Sequence, residues 1–149
     1  LYLNRMELEA KHLTPYLPFQ LKAVDEFGLK RIIDWECQSY TNTIVGLNHV
    51  VKKQIEMVHV NSFVPIMKSL LKLSNEDLIP LGLIIRDIPI YKATYKDNIF
   101  AIEDAKAWIR TGMKPVLSLK QCLDVTNHLL SIHADIFGLI AAGLADEAV

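Results

Sequence analysis

Recognisable chemical motifs are what this 149-residue chain has least of. There are two cysteines, Cys37 and Cys122, far apart in sequence and outside any CxxC or Cys/His ligand spacing. That spacing argues against a zinc or redox site. Both thiols are expected to pack as small hydrophobes in a reducing compartment. The six glycines are scattered and form neither GxGxxG nor GxxxxGK[ST], so no phosphate-cradling loop is present. There is no Gly-x-Ser-x-Gly elbow for a nucleophilic serine. No HExxH motif supplies metal ligands on a helix.

Charge of one sign is also missing. The net charge is −1, which gives no global electrostatic case for nucleic acid. Residues 1–75 carry 9 Lys/Arg against 7 Asp/Glu, and residues 76–149 carry 7 against 10. Neither half has a strong electrostatic footprint. The longest apolar run, residues 136–145, is about half of the ~20 residues a bilayer span needs. No basic segment leads into an apolar core and a cleavage site at the N-terminus. The expectation is a soluble, cytoplasmic protein with no cofactor, no metal and no membrane partner. Met6 reads as a natural start, and residues 1–5 are set aside from function.

What is present is a globular composition, 51% hydrophobic and 22% charged. At this length a chain buries roughly 68–70% of its unfolded surface, enough for a real core. A single domain over 1–149 is expected, with a strand-rich part (6–61), a mixed part (62–101) and a helical part (102–149). No internal repeat is visible.

Pro15 and Pro18 each bias the preceding residue toward extended geometry, so residues 12–18 read as a rigid lead-in. Residues 21–25 and 29–37 flank Glu26-Phe27-Gly28, a hairpin signal. Leu29, Arg31, Ile33, Trp35 and Cys37 alternate onto one face, the side expected to meet the core. A second hairpin is expected over residues 43–60, turning near Gly46–Asn48 or near Lys52–Lys53. Its later strand would put Ile55, Met57 and His59 on one side. Ser62 reads as the cap of a helix through Phe63, Ile66, Met67, Leu70 and Leu71, with Pro65 in its first turn. Ser74-Asn-Glu-Asp77 reads as the start of a short turn with capping-box-like spacing. Between Pro80 and Pro89, residues 81–85 suit a buried strand, with 90–95 as its partner. A helix stripe follows at Ile102, Ala105 and Ile109, stopped by Gly112 and Pro115. Ser118 caps the last helix, with Leu119, Cys122, Leu123, Thr126, Leu130 and His133 on one stripe.

The fold class expected is α+β: a small, mostly antiparallel N-terminal sheet, open or curled into a barrel-like unit, packed with C-terminal helices.

Candidate chemistry is sparse. Asp124, His128 and Asp135 fall at i, i+4 and i+11, one face of an unbroken helix. An imidazole beside a carboxylate is the raw material of a general base or metal ligand. The same spacing also describes a solvated polar face. His133 lies on the apolar stripe, where a structural histidine is the ordinary case. Catalytic, cofactor and metal residues are therefore assigned to none, and the chain is expected not to be an enzyme. The apolar ending, with Phe137, Ile140 and Leu144, exceeds what one helix face needs to bury. Either it docks internally or it forms a seam with a second copy or another protein.

Three stretches carry a family resemblance. They are Met6-Glu-Leu-Glu-Ala-Lys-His12-Leu-Thr-Pro15-Tyr-Leu-Pro18, Phe63-Val-Pro65-Ile66 leading to Leu70-x-x-Leu73, and His133-Ala-Asp135-Ile-Phe137-Gly-Leu-Ile with Gly143-Leu-Ala. Together they resemble a family of small uncharacterised proteins encoded in Bacteroidetes genomes, often in prophage or other mobile regions. The resemblance implies a bacterial or phage cytoplasmic setting and transfers no catalytic residue.

The leading functional expectation is a protein–protein binding or assembly module, with self-association through Phe137, Ile140 and Leu144 as one form. The alternative is a nucleic-acid-binding accessory protein. It would use the strand-rich half through Lys22, Lys30, Arg31, Lys52 and Lys53, an analogy of fold rather than of site. A less favoured third is an enzyme pairing His128 or His133 with Asp124 or Asp135.

Overall fold

The computed structural model describes residues 7–35, 44–48, 55–112 and 117–148. The fold is α+β. Two compact units share the chain, one drawn from residues 1–68 and 135–149 and the other from 69–134. The composition's boundaries at 61 and 102 thus do not coincide with the structural ones. The last fifteen residues belong to the sheet unit rather than to the helices.

The sheet unit opens with a one-turn helix α1 (Ala10–Leu13) and a 3-10 segment (Thr14–Phe19). Strands β1 (Lys22–Asp25) and β2 (Lys30–Trp35) form the expected hairpin. Its turn is built by Asp25, whose carboxylate accepts the N–H groups of Phe27 and Leu29, each at 2.9 Å. Gly28 supplies the positive φ that such a turn requires. β3 (Ile44–Asn48) and β4 (Ile55–His59) pair antiparallel from Ile44↔His59 to Asn48↔Ile55. Gly46–Asn48 therefore lies inside a strand and is not a turn. The alternative at Lys52–Lys53 lies outside the described residues, as does Cys37.

Residues 63–67 form β5 (Phe63–Met67), not a helix. Phe63, Pro65 and Met67 alternate inward and are buried, the period of a strand. β5 pairs with β1 through Ala23↔Pro65. Long-range pairing thus overrides an apolar pattern that also fits a helical period. β6 (Asp146–Glu147) adds in parallel on Ile66 and Met67. The strand order is β4-β3-β2-β1-β5-β6, an open sheet and not a barrel. Ala23, Ile33, Leu47, Phe63 and Met67 line its buried face.

The helical unit holds α2 (Asn75–Ile85), α3 (Tyr95–Arg110) and α4 (Leu119–Ser131). Each begins on a hydroxyl that accepts the N–H three residues on: Ser74 from Asp77, Thr94 from Asp97 and Ser118 from Gln121. α2 replaces the strand expected at 81–85. Residues 90–92 form a 3-10 turn, not a strand. The cap at Ser74, the acids Glu76 and Asp77 in the first turn, and inward Leu78, Leu81 and Leu83 outweigh the single hydrogen bond lost at Pro80. After α2 and α4 the chain reverses through left-handed residues, Asp87 and His133. In each case a 2.9 Å bond, Ile88 N–H to Leu83 or Ala134 N–H to Leu129, closes a Schellman-type end. His133 is therefore outside the helix, and α4 does not continue past Ala134.

Most of the stripe expected on α4 faces solvent. Leu119, Cys122, Leu123 and Thr126 are exposed; of that stripe Leu130 is buried, and Val125 and Leu129 complete the inward face. Two polar residues explain the rotation. Gln121 donates to the Ile84 and Ile85 carbonyls at the end of α2, at 3.1 and 3.2 Å. His128 Nε2 lies 2.7 Å from the Asp77 carbonyl at its start. A periodicity read from hydrophobicity alone assigns such residues to solvent.

Candidate functional site

Within the helical unit, Leu70, Leu71, Leu73, Leu78 and Ile109 line a groove of about 270 Å³, bordered by Lys106 and Arg110. Leu71 stands on the 3-10 turn at residues 70–72 and is 81% exposed. Ser69 fixes that turn by accepting the Leu71 N–H. Leu78 and Ile109 come from α2 and α3, which pack closely at Gly82. A Cβ there would overlap the Ala101 carbonyl.

The groove runs into a stripe along α3. Tyr95, Ile99, Ile102, Lys106 and Ile109 are spaced 4, 3, 4 and 3 apart and so share one helix face. The inward face is a different one, Ala101, Ala105 and Trp108. The expected stripe of Ile102, Ala105 and Ile109 lies where the two faces meet: Ala105 is buried, and Ile102 and Ile109 are half-buried. Tyr95 is 80% exposed, and Ile99 and Phe100 are also exposed. Beside the start of α3, Ile90 and Tyr91 are exposed as well. Arg86 is paired with Asp104 at 2.7 Å and lies over the Phe100 ring.

A second hollow, about 380 Å³, is lined by Ile84, Asp87, Ile90, Ser118, Lys120 and Asp124 among others. It places Asp124 near Asp87 and Lys120, with no histidine in its lining.

The suggested acid–base set is not gathered. Asp124 is exposed, His128 is bonded to the Asp77 carbonyl, and Asp135 belongs to the sheet unit. There Asp135 is buried and accepts the N–H groups of Leu139 and Ile140 at 2.8 and 2.9 Å. It organises the turn after it, as a helix cap does. His59 accepts the Asn61 N–H on its Nδ1, and His49 lies outside the described residues. Among the described residues no group of three or more His, Cys, Asp or Glu is arranged to hold a metal ion. Cys122 is exposed, contrary to the buried thiol expected.

The apolar ending docks on its own unit. Phe137 packs edge-on to His12 at 5.5 Å and to Tyr16 at 6.4 Å. The Ile136 N–H donates to the Tyr16 hydroxyl oxygen at 3.2 Å. Leu139 is fully buried, while Phe137, Ile140 and Leu144 are half-buried. Burial pushes the Tyr16 phenol up to about 12, and the nearby Asp135 carboxylate adds to the shift, against the Ile136 N–H.

The basic residues do not gather either. Lys22 and Lys30 are exposed on one sheet face, since Lys30 pairs with Val24 two residues from Lys22. Arg31 points to the other face and is 8% exposed. It lies 3.8 Å from Asp25 and 3.2 Å from Glu56, and donates to the Leu47 carbonyl. A guanidinium so engaged is withdrawn from any phosphate. Lys52 and Lys53 lie outside the described residues.

No family model, curated protein or solved structure matches this chain. The site therefore stands on its own geometry. No helix among the described residues is long and apolar enough to cross a membrane.

The groove was hard to find in sequence. Leu70-Leu71-x-Leu73 and Lys106-x-x-Ile109-Arg110 are separated by more than thirty residues. The available signal was an apolar turn of three leucines just before a capping serine.

Proposed function

We propose that the protein is a protein-binding module that acts through the groove of its helical unit. The observation carrying this reading is Leu71. A large apolar side chain lies almost wholly exposed beside an apolar groove, in a unit whose helices are otherwise capped and packed. Contiguous exposed apolar surface marks interaction sites rather than ordinary solvent-facing positions. Arg110 at the border of the groove is of a residue type that dominates interface energetics. A bacterial mobile-element setting rests on the resemblance alone.

A catalytic reading has no gathered acid–base pair among the described residues in its support. The nucleic-acid reading keeps Lys22 and Lys30 but loses Arg31.

The test is chemical-shift mapping on the full chain with three 14-residue amphipathic helical peptides, one acidic, one neutral and one basic. Saturable shifts are expected around Leu70–Leu73 and along Tyr95–Arg110. If none of the three binds, or if all shifts map to the sheet, the reading is wrong.

A further inference from the structure

We propose that the occupant of this groove is an acidic amphipathic helix of another protein. The inference rests on the protein-binding reading and specifies the partner's chemistry.

Shape comes first. The stripe from Tyr95 to Ile109 spans fifteen residues of helix, about 21 Å over its fourteen steps of 1.5 Å. It is a single line of side chains three and four apart, ending in a groove. A helix laid alongside offers anchors at i, i+3 or i+4 and i+7, which match such a line. An extended strand binds through an open sheet edge instead, and α3 has none. The groove, at about 270 Å³, lies below the roughly 300–1,000 Å³ of drug-sized ligand sites. It suits an anchoring side chain better than a cofactor.

Charge then selects the sign. Lys106 and Arg110 border the groove and are exposed. Neither forms an ion pair with a described residue, whereas Arg86 on the same unit is held by Asp104. The carboxylate nearest in sequence on that side of α3 is Glu103, three residues before Lys106. The groove lining itself holds two cations and no carboxylate, so the groove end of the stripe is positive and apolar. Its complement is an apolar face with carboxylates at one end, which Arg110 can take bidentately.

The same reasoning disfavours a second copy. The exposed apolar stripe on α4, Leu119 and Leu123, is flanked by Lys120 and Asp124 and carries no net negative charge.

The experiment is fluorescence anisotropy of a labelled 14-residue amphipathic peptide titrated with the full chain. Peptides with Glu, Gln or Lys at the polar positions are compared. The Glu peptide is expected to bind at least about tenfold tighter than the Gln peptide at low salt, with the gap closing at high salt. The double variant K106E/R110E should pass the preference to the Lys peptide. Leu71→Asn, a neutral change at an exposed position, should weaken all three without unfolding the chain.

Equal binding of the Glu and Gln peptides overturns the acidic partner and leaves the protein-binding reading standing. Failure of all three overturns both. Competition by inorganic phosphate or a single-stranded oligonucleotide at the same residues makes this a general anion site and overturns the proposal. Sedimentation showing a dimer that excludes the peptide assigns the groove to a second copy and overturns it as well.

Discussion

Gly82 on α2 sits against Ala101 on α3 with no room for a single methyl group between them. The colliding atoms would be backbone, which cannot rotate away. Helix propensity alone favours Gly82→Ala by about 1 kcal/mol. Overpacking costs about 1–3 kcal/mol, occasionally more. The variant is expected to be destabilised, measured by urea unfolding. It should also lose peptide affinity, because α2 and α3 both line the groove. A variant more stable than the parent would mean that the helices do not approach this closely.

The carboxylate of Asp135 accepts two backbone N–H groups while buried. Asp135→Ala leaves both donors without their acceptor, a cost of about 1–3 kcal/mol. Asp135→Asn keeps one acceptor oxygen and should fall between. The ordering parent, Asn, Ala in thermal unfolding checks this. If Ala equals Asn, the two bonds are not both formed.

Much of this architecture was legible in the residues, and the gaps have specific causes. The hairpin at Asp25–Gly28 was readable because one carboxylate and one glycine encode the turn locally. Ser118 was readable as a cap for the same reason, whereas Ser74 showed the spacing of a cap but suggested the opening of a turn, not a helix. Residues 63–67 were not, because Phe63, Ile66 and Met67 fit a helical period while Phe63, Pro65 and Met67 fit a strand. Pairing with β1, forty residues away, decides between them. The buried face of α4 was hidden by Gln121 and His128, whose hydrogen bonds to α2 make polar positions inward-facing. The groove was the least legible part, since it exists only once α2 and α3 have packed at Gly82.

Arg31 is a buried cation shared between Asp25 and Glu56. Removing one partner of a buried pair typically costs about 3–5 kcal/mol. The 3.8 Å contact to Asp25 and the partial exposure of Glu56 place Arg31→Met at or below the lower end. Glu56→Gln should cost under about 1 kcal/mol, as for exposed pairs. Chemical denaturation of both variants tests the asymmetry. Comparable losses in the two would locate the weight on Glu56 instead.

Tyr16 should be a phenol that ionises late. Burial raises it from the ordinary 10 to about 12. The folded state favours the protonated form, so the stability from this group is intact below pH 10 and is lost as pH rises toward 12. A late step in the ultraviolet titration is expected, and it should vanish in Tyr16→Phe. That variant should also show a shallower loss of stability on the alkaline side. A late step that persists in it would belong to another tyrosine.

Asp97 supplies the opposite pH signature. The Thr94 N–H bonded to its carboxylate, and then the Thr94 side chain, hold Asp97 below the usual carboxylate range. The folded state therefore favours the charged form. Its stabilising effect is present above the ordinary aspartate range and is lost as pH falls through that range to the lowered value. Asp97→Asn should lower the melting temperature near neutral pH, and the gap to the parent should close as the solution is acidified. Circular-dichroism melts at a series of pH values give the comparison. A gap that stays constant down to full protonation would show that the carboxylate charge contributes nothing to the start of α3.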